Sequence, residues 1–117
     1  MSRKLTLSAI AFAFILNNAA AQGVVVWGGG NESCGRWLED KSSSPSSRNV
    51  LKHWVLGFLS GANWTSTSGQ ARPPDADAAI AFVDQYCQNN PLHILSFAAS
   101  ALVSETGGQK AKHEWKR

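Results

Sequence analysis

Two cysteines, three histidines and a few carboxylates are the side chains with which this chain could do chemistry. Each tempting pattern among them lacks a partner. Cys34-Gly35-Arg36-Trp37 resembles a thiol-protease segment, but nucleophilic catalysis needs a free thiolate beside a base, which an oxidised cysteine does not supply. Gly57-Phe58-Leu59-Ser60-Gly61 approaches a nucleophile elbow, yet its serine is off-centre and no strand leads into it. His113-Glu114 opens an H-E-x-x-H motif that lacks its second histidine. His53, His93 and His113 show no ligand spacing, and cysteines paired with each other cannot hold zinc. Gly28-Gly29-Gly30 is followed by neither Lys-Ser nor Lys-Thr, so it reads as a spacer rather than a phosphate loop. Asp75, Asp77 and Asp84 read as helix-start and surface charges, not as an acid–base pair. The sequence therefore predicts no catalytic residues, no metal and no cofactor.

The cysteines are better explained by export. Met1-Ser2-Arg3-Lys4 is a cationic start, Leu5 to Leu16 is apolar or small throughout, and Ala19-Ala20-Ala21 supplies small residues before Gln22. This is the layout of a cleavable signal peptide, with cleavage near Ala21/Gln22. Twelve helical residues rise about 18 Å, short of the ~30 Å of a hydrocarbon core, so a membrane anchor is disfavoured. Export delivers Cys34 and Cys87 to an oxidising compartment, the periplasm or the exterior, where an internal bridge is expected. The alternatives are two free thiols or an intermolecular bond. Asn31-Glu32-Ser33 and Asn63-Trp64-Thr65 match a glycosylation pattern, which has meaning only in a eukaryotic secretory route.

Removing the signal leaves one domain, too small for two independent cores. The charge is uneven. Residues 22–109 hold five basic and seven acidic side chains, whereas 110–117 hold Lys110, Lys112, Lys116 and Arg117 against Glu114. The pI near 9.1 comes from the ends of the chain, so a nucleic-acid partner is not indicated.

Four helices are predicted to position these residues. After a flexible glycine-rich arm over 22–32, Ser33 caps a short helix to Lys41, with Cys34, Trp37 and Leu38 on one face. Ser42 to Asn49, interrupted by Pro45, reads as a polar loop. The second helix spans Val50 to Ala62 with Asn49 as its cap. Its Gly57 and Gly61, four apart, suggest that another backbone packs closely there, since glycine weakens a helix interior. Asn63 to Pro74 is a long loop starting at Trp64. Asp75 to Gln88 forms the third helix. Asn90 and Pro91 open the fourth, which stops at Gly107-Gly108 before a basic tail over 108–117. The domain proper is 33–107. Helix four is apolar around most of its circumference and helix two nearly so. Helices of that kind are either central or carry a second apolar face for self-association or a protein partner.

Ser33-Cys34-Gly35-x-Trp37-Leu38, the block Trp54 to Asn63, Val83-Asp84-x-Tyr86-Cys87, and Asn90-Pro91-Leu92 before an alanine-rich helix together resemble a group of small proteobacterial periplasmic proteins. These look like relatives of the HdeA/HdeB acid-stress chaperones and of the Tai-type immunity proteins. The resemblance covers roughly residues 33–106, and Trp54 to Asn63 is its most specific part. It implies an all-α four-helix bundle, one disulfide carried over onto Cys34 and Cys87, and a homodimer. It further implies a non-enzymatic role, either holding unfolded clients or neutralising a secreted toxin. The chain departs from the chaperones in its 63–74 loop and its glycine-rich arm. Trp54, Phe58, Leu59, Trp64, Leu95, Phe97 and Leu102 are the candidate protein-binding residues on helices two and four and on the loop that follows helix two. A small enzyme or ligand carrier built around Trp37, Trp54 and Trp64 is the reading from another class; it requires a deep pocket.

Overall fold

The structure, a computed structural model, describes residues 23–108. The predicted signal peptide and most of the basic tail lie outside the described residues. The fold is all-α: a 3-10 turn at Gly28–Asn31 precedes α1 (Cys34–Ser43), α2 (Pro45–Thr65), α3 (Ala76–Asn89) and α4 (Leu95–Glu105). One disulfide joins Cys34, the first residue of α1, to Cys87 near the end of α3, with Cα atoms 4.8 Å apart. Among the described residues, no helix is long and apolar enough to cross a membrane.

Local chemistry explains most helix starts. The Ser33 hydroxyl accepts the Arg36 backbone N–H at 3.0 Å, and the Asp75 carboxylate accepts that of Ala78 at 2.7 Å. Each satisfies a donor that a helix N-terminus otherwise leaves unpaired.

Three boundaries differ from the sequence prediction. Ser42 to Asn49 is helical except at Ser44, because Pro45 takes the first position of α2, where its missing N–H costs nothing. α1 and α2 are thus separated by one residue instead of a loop. α2 also runs past Ala62 to Thr65, whose hydroxyl bonds back to the Gly61 carbonyl. Finally, α4 begins at Leu95 and not at Pro91. The Asn90 side chain donates backward to the Tyr86 carbonyl, closing α3 instead of capping α4. Residues 91–94 turn and pair with the segment before α1: Cys34 N–H donates to the His93 carbonyl and Leu95 N–H to the Glu32 carbonyl, both at 2.8 Å. This bridge beside the disulfide closes α1 against the start of α4.

α4 is the central helix. It packs on α2, on α3 and on the 3-10 turn. Leu95, Ser96, Ala98, Ala99, Leu102 and Val103 are all buried. Trp37, Val55, Val83 and the disulfide complete the core. The glycine-rich segment expected to be a flexible arm is folded from Gly28 onward. Trp54 lies against Gly28, Gly29 and Gly30, and its ring N–H donates to the Trp27 carbonyl at 2.8 Å. A Cβ on Gly30 would run into the Trp54 ring, and one on Gly29 would come within 2.7 Å of Leu51. These glycines are there for close approach.

Candidate functional site

The charged side chains gather at the junction of α1, α2 and α3, and their arrangement is structural. Asp84, on α3, is the hub. Its carboxylate accepts the Trp37 ring N–H at 2.7 Å, Lys41 Nζ at 3.0 Å, and the Arg48 guanidinium. Arg48 is buried. It also donates to the Trp37 carbonyl at 2.7 Å, and its guanidinium lies 3.6 Å from the centre of the Trp37 ring. A cation over an indole face adds attraction that grows as water is excluded. One turn away, buried Asp40 accepts Ser47 Oγ at 2.5 Å and pairs with Arg36 at 2.8 Å. Asp84 is therefore not a surface charge, as its sequence context suggested. What the sequence did not reveal was that Trp37, Lys41 and Arg48 converge on it from two other elements.

Burial pushes the Asp84 carboxyl upward, but hydrogen bonds from Arg48, Lys41 and Trp37 outweigh it and hold the group below the usual carboxylate range. Asp40 is also held low, chiefly by the Ser47 hydroxyl and then, against its desolvation, by Arg36. Every Asp84 oxygen is spent on a donor within the fold. Among the described residues, no cluster of three or more His, Cys, Asp or Glu could hold a metal. His93 Nδ1 is engaged with the Tyr86 hydroxyl at 2.7 Å, and its ring meets Phe97 edge-on at 5.6 Å. Both polar atoms of the Asn63 side chain bond the backbone of Ala71, at 2.9 and 2.8 Å, closing the 63–74 loop on itself. That amide is used by the fold and is not a free glycosylation acceptor.

The predicted binding residues separate into two groups. Leu95 and Leu102 are at most 1 % exposed and belong to the core, so they are withdrawn as contact residues. Leu59 is half-buried and packed on the core, and Phe97 is half-buried with its ring against His93. Trp54 and Phe58 are half-buried on α2 with ring centres 5.4 Å apart. Trp64 is 91 % exposed. Val50, one turn before Trp54, is 66 % exposed and went unsuspected, as did Trp27 and Leu92. Val50 and Leu92 fit a core-type hydropathy pattern, which reads side-chain type and not direction, whereas Trp27 lies in the segment expected to be an arm.

Gly57 and Gly61 also require correction. Among the described residues no neighbour approaches them: a Cβ built on either meets nothing within 4 Å. Two glycines inside a helix cost about 1 kcal/mol each relative to alanine, and no close packing inside this domain accounts for them. They lie in line with Val50, Trp54 and Trp64 at spacings of four, three, four and three residues. That is a heptad-type seam on the outside of α2. It carries no formal charge, since residues 53–71 contain no Asp, Glu, Lys or Arg.

No protein-family model, no curated protein and no solved structure matches this chain.

Proposed function

We propose that this is a non-enzymatic protein-binding protein of the periplasm or cell exterior, and that the outer face of α2 is its binding surface. The observation that carries the reading is the contrast between the two apolar helices. α4 is enclosed by the fold, whereas α2 leaves Val50 and Trp64 in water beside Trp54 and Phe58. Large aromatic side chains that stand in water on a rigid helix are what protein interfaces select, because burying them on a partner returns the free energy their exposure forgoes. Localisation rests on the signal-like N-terminus together with a disulfide that an oxidising compartment would preserve.

The favoured form is chaperone-like protection under acid stress, in keeping with the resemblance to the HdeA/HdeB proteins. The junction around Asp84 supports it. Its ties to Arg48 and Lys41 need an ionised carboxylate, and protonation in strong acid would loosen α3 from α1 and α2. Apolar surface would then become available to unfolding clients. The test is suppression of client aggregation by the oxidised protein, measured with hydrophobic-dye binding at pH 7 and in strong acid. Protection that appears in acid and falls away in Trp64→Ala supports the reading; no dye binding and no protection at either pH overturns the chaperone form. Neutralisation of a secreted toxin, the Tai-like role, is the alternative, and the exposed α2 face at neutral pH suits a single folded partner of that kind. Rescue of cells co-expressing a neighbouring toxin gene tests it.

A further inference from the structure

We infer that Gln22 is a modification site: freed as the first residue when the signal is removed, it closes on its own α-amine to a pyroglutamyl lactam that caps the mature chain. The inference rests on the reading of the chain as exported and does not depend on what α2 binds.

The cleavage register decides which residue carries the new amine. A signal is cut after small residues at the first and third positions before the break. A cut after Ala19 or Ala20 would put Asn17 or Asn18 at the third position. Within the alanine run only the cut after Ala21 places small side chains, Ala19 and Ala21, at both. Gln22 is then the terminus, followed by Gly23, which has no side chain to crowd it.

A terminal glutamine cyclises without a cofactor or a second reactant. The neutral α-amine attacks the side-chain Cδ and forms a C–N bond there. The amide C–N bond breaks, and ammonia leaves with the proton that the amine gives up. Both reacting groups belong to one residue and close an unstrained five-membered ring, so proximity replaces the encounter that an ordinary acyl transfer needs. An α-amine titrates near pH ~7.7–8.0, so part of it is the neutral nucleophile at physiological pH.

The fold leaves room for the reaction and gives the cap a purpose. A Cβ built on Gly23 would meet nothing within 4 Å, and Val24 and Val25 are 81 % and 73 % exposed. The next two residues are used by the domain. The Val26 carbonyl accepts the Asn31 side-chain amide at 2.7 Å, and the Trp27 carbonyl accepts the Trp54 ring N–H at 2.8 Å. Gly23, Val24 and Val25 alone stand between Gln22 and these contacts. Exposed chain ends are where proteolysis concentrates, and stepwise trimming from the terminus would soon strip the seat of Trp54. Aminopeptidases engage a free α-amine, and the lactam has none. Cyclisation also removes the terminal positive charge, leaving Gln22 to Asn31 without any formal charge.

The test is mass spectrometry and N-terminal sequencing of the oxidised protein purified from an exporting host and incubated at neutral pH. We expect the N-terminal peptide, located by its fragment ions, to be lighter by one ammonia than the open chain from Gln22. Stepwise sequencing should be blocked until a pyroglutamyl peptidase removes the ring. Gln22→Asn keeps the cleavage site but would need a strained four-membered ring, so it should stay open and readable from its first residue. A nonspecific aminopeptidase should shorten the Gln22→Asn protein through Val24 and Val25 and leave the parent protein at full mass. A free Gln22 amine after incubation, a chain that begins at Val24, or equal shortening of the two proteins would each overturn the proposal. A chain that retains Met1 overturns it together with the exported reading, whereas a free Gln22 amine leaves that reading standing.

Discussion

α2 and α4 are both rich in apolar residues and have opposite fates. Both are apolar around much of their circumference, and both could have been the centre of the bundle. α4 follows the disulfide-bearing α3 after a short turn, and the backbone bridge at His93 and Leu95 draws its first residues under α1. It is then covered by α2, α3 and the glycine turn. α2 is about twice as long, 21 residues against 11; it buries Arg48, Leu51 and Val55 and seats Trp54 against the glycine turn, but leaves Val50 and Trp64 exposed. Apolar content predicts a demand for burial, while connectivity and closure decide which helix has that demand met inside the chain.

Substitutions on the two sides of this contrast should have unequal costs. The largest effect is expected from the closure itself. Replacing Cys34 and Cys87 by serine opens a loop of 53 residues and should cost about 4 kcal/mol by the loop-entropy relation, read as a drop in denaturant midpoint that reductant reproduces in the parent protein. Next, Leu102→Ala on the enclosed helix should lose about 3 kcal/mol from the cavity it leaves, whereas Trp64→Ala on the open face should change unfolding of the single chain by less than about 0.5 kcal/mol. Comparable losses at both positions would erase the distinction between the helices.

Asp84→Asn should cost about 2 kcal/mol, because it leaves the buried Arg48 guanidinium short of its counter-charge; the figure lies below that for a fully buried pair since Asp84 keeps partial contact with water. The pH dependence follows from the direction of the Asp84 shift. A carboxyl whose folded value is depressed contributes stability above its unfolded value, near 3.9, and loses it as pH falls through the lower folded value. Thermal melts of the parent protein should therefore decline below about pH 4, and those of Asp84→Asn should decline less. The smallest effects separate two kinds of glycine. Under dilute conditions Gly61→Ala should stabilise the single chain by roughly 0.5–1 kcal/mol, since the position is helical and open, whereas Gly30→Ala should destabilise it, since Trp54 already fills that space. Differential scanning calorimetry of the pair reads the sign directly.

Much of the fold was legible in the residues. The four helices, the Ser33 and Asp75 caps and the Cys34–Cys87 bridge follow from local periodicity, capping chemistry and cysteine count, all short-range or compositional signals. The misjudged segments were those where distant groups compete. Pro45 could end a helix or begin one, and the choice fell to the packing of Arg48 and Ser47 on Asp84 and Asp40 of neighbouring helices. Pro91 looked like a helix start, but the backbone at 93–95 was claimed by residues 32–34.

The candidate site was legible only as a list of residue types. By itself the sequence determined that the chain is helical, that its described domain bears one disulfide, and that two of its helices are unusually apolar. These follow from side-chain identity and spacing along a single helix. Only the tertiary structure decided that α4 is enclosed and α2 is not, that Gly28 to Gly30 receive Trp54 while Gly57 and Gly61 face open space, and that Asp84 joins three helices. Each depends on what stands opposite a residue across the fold, and the spacing along one helix carries no record of that.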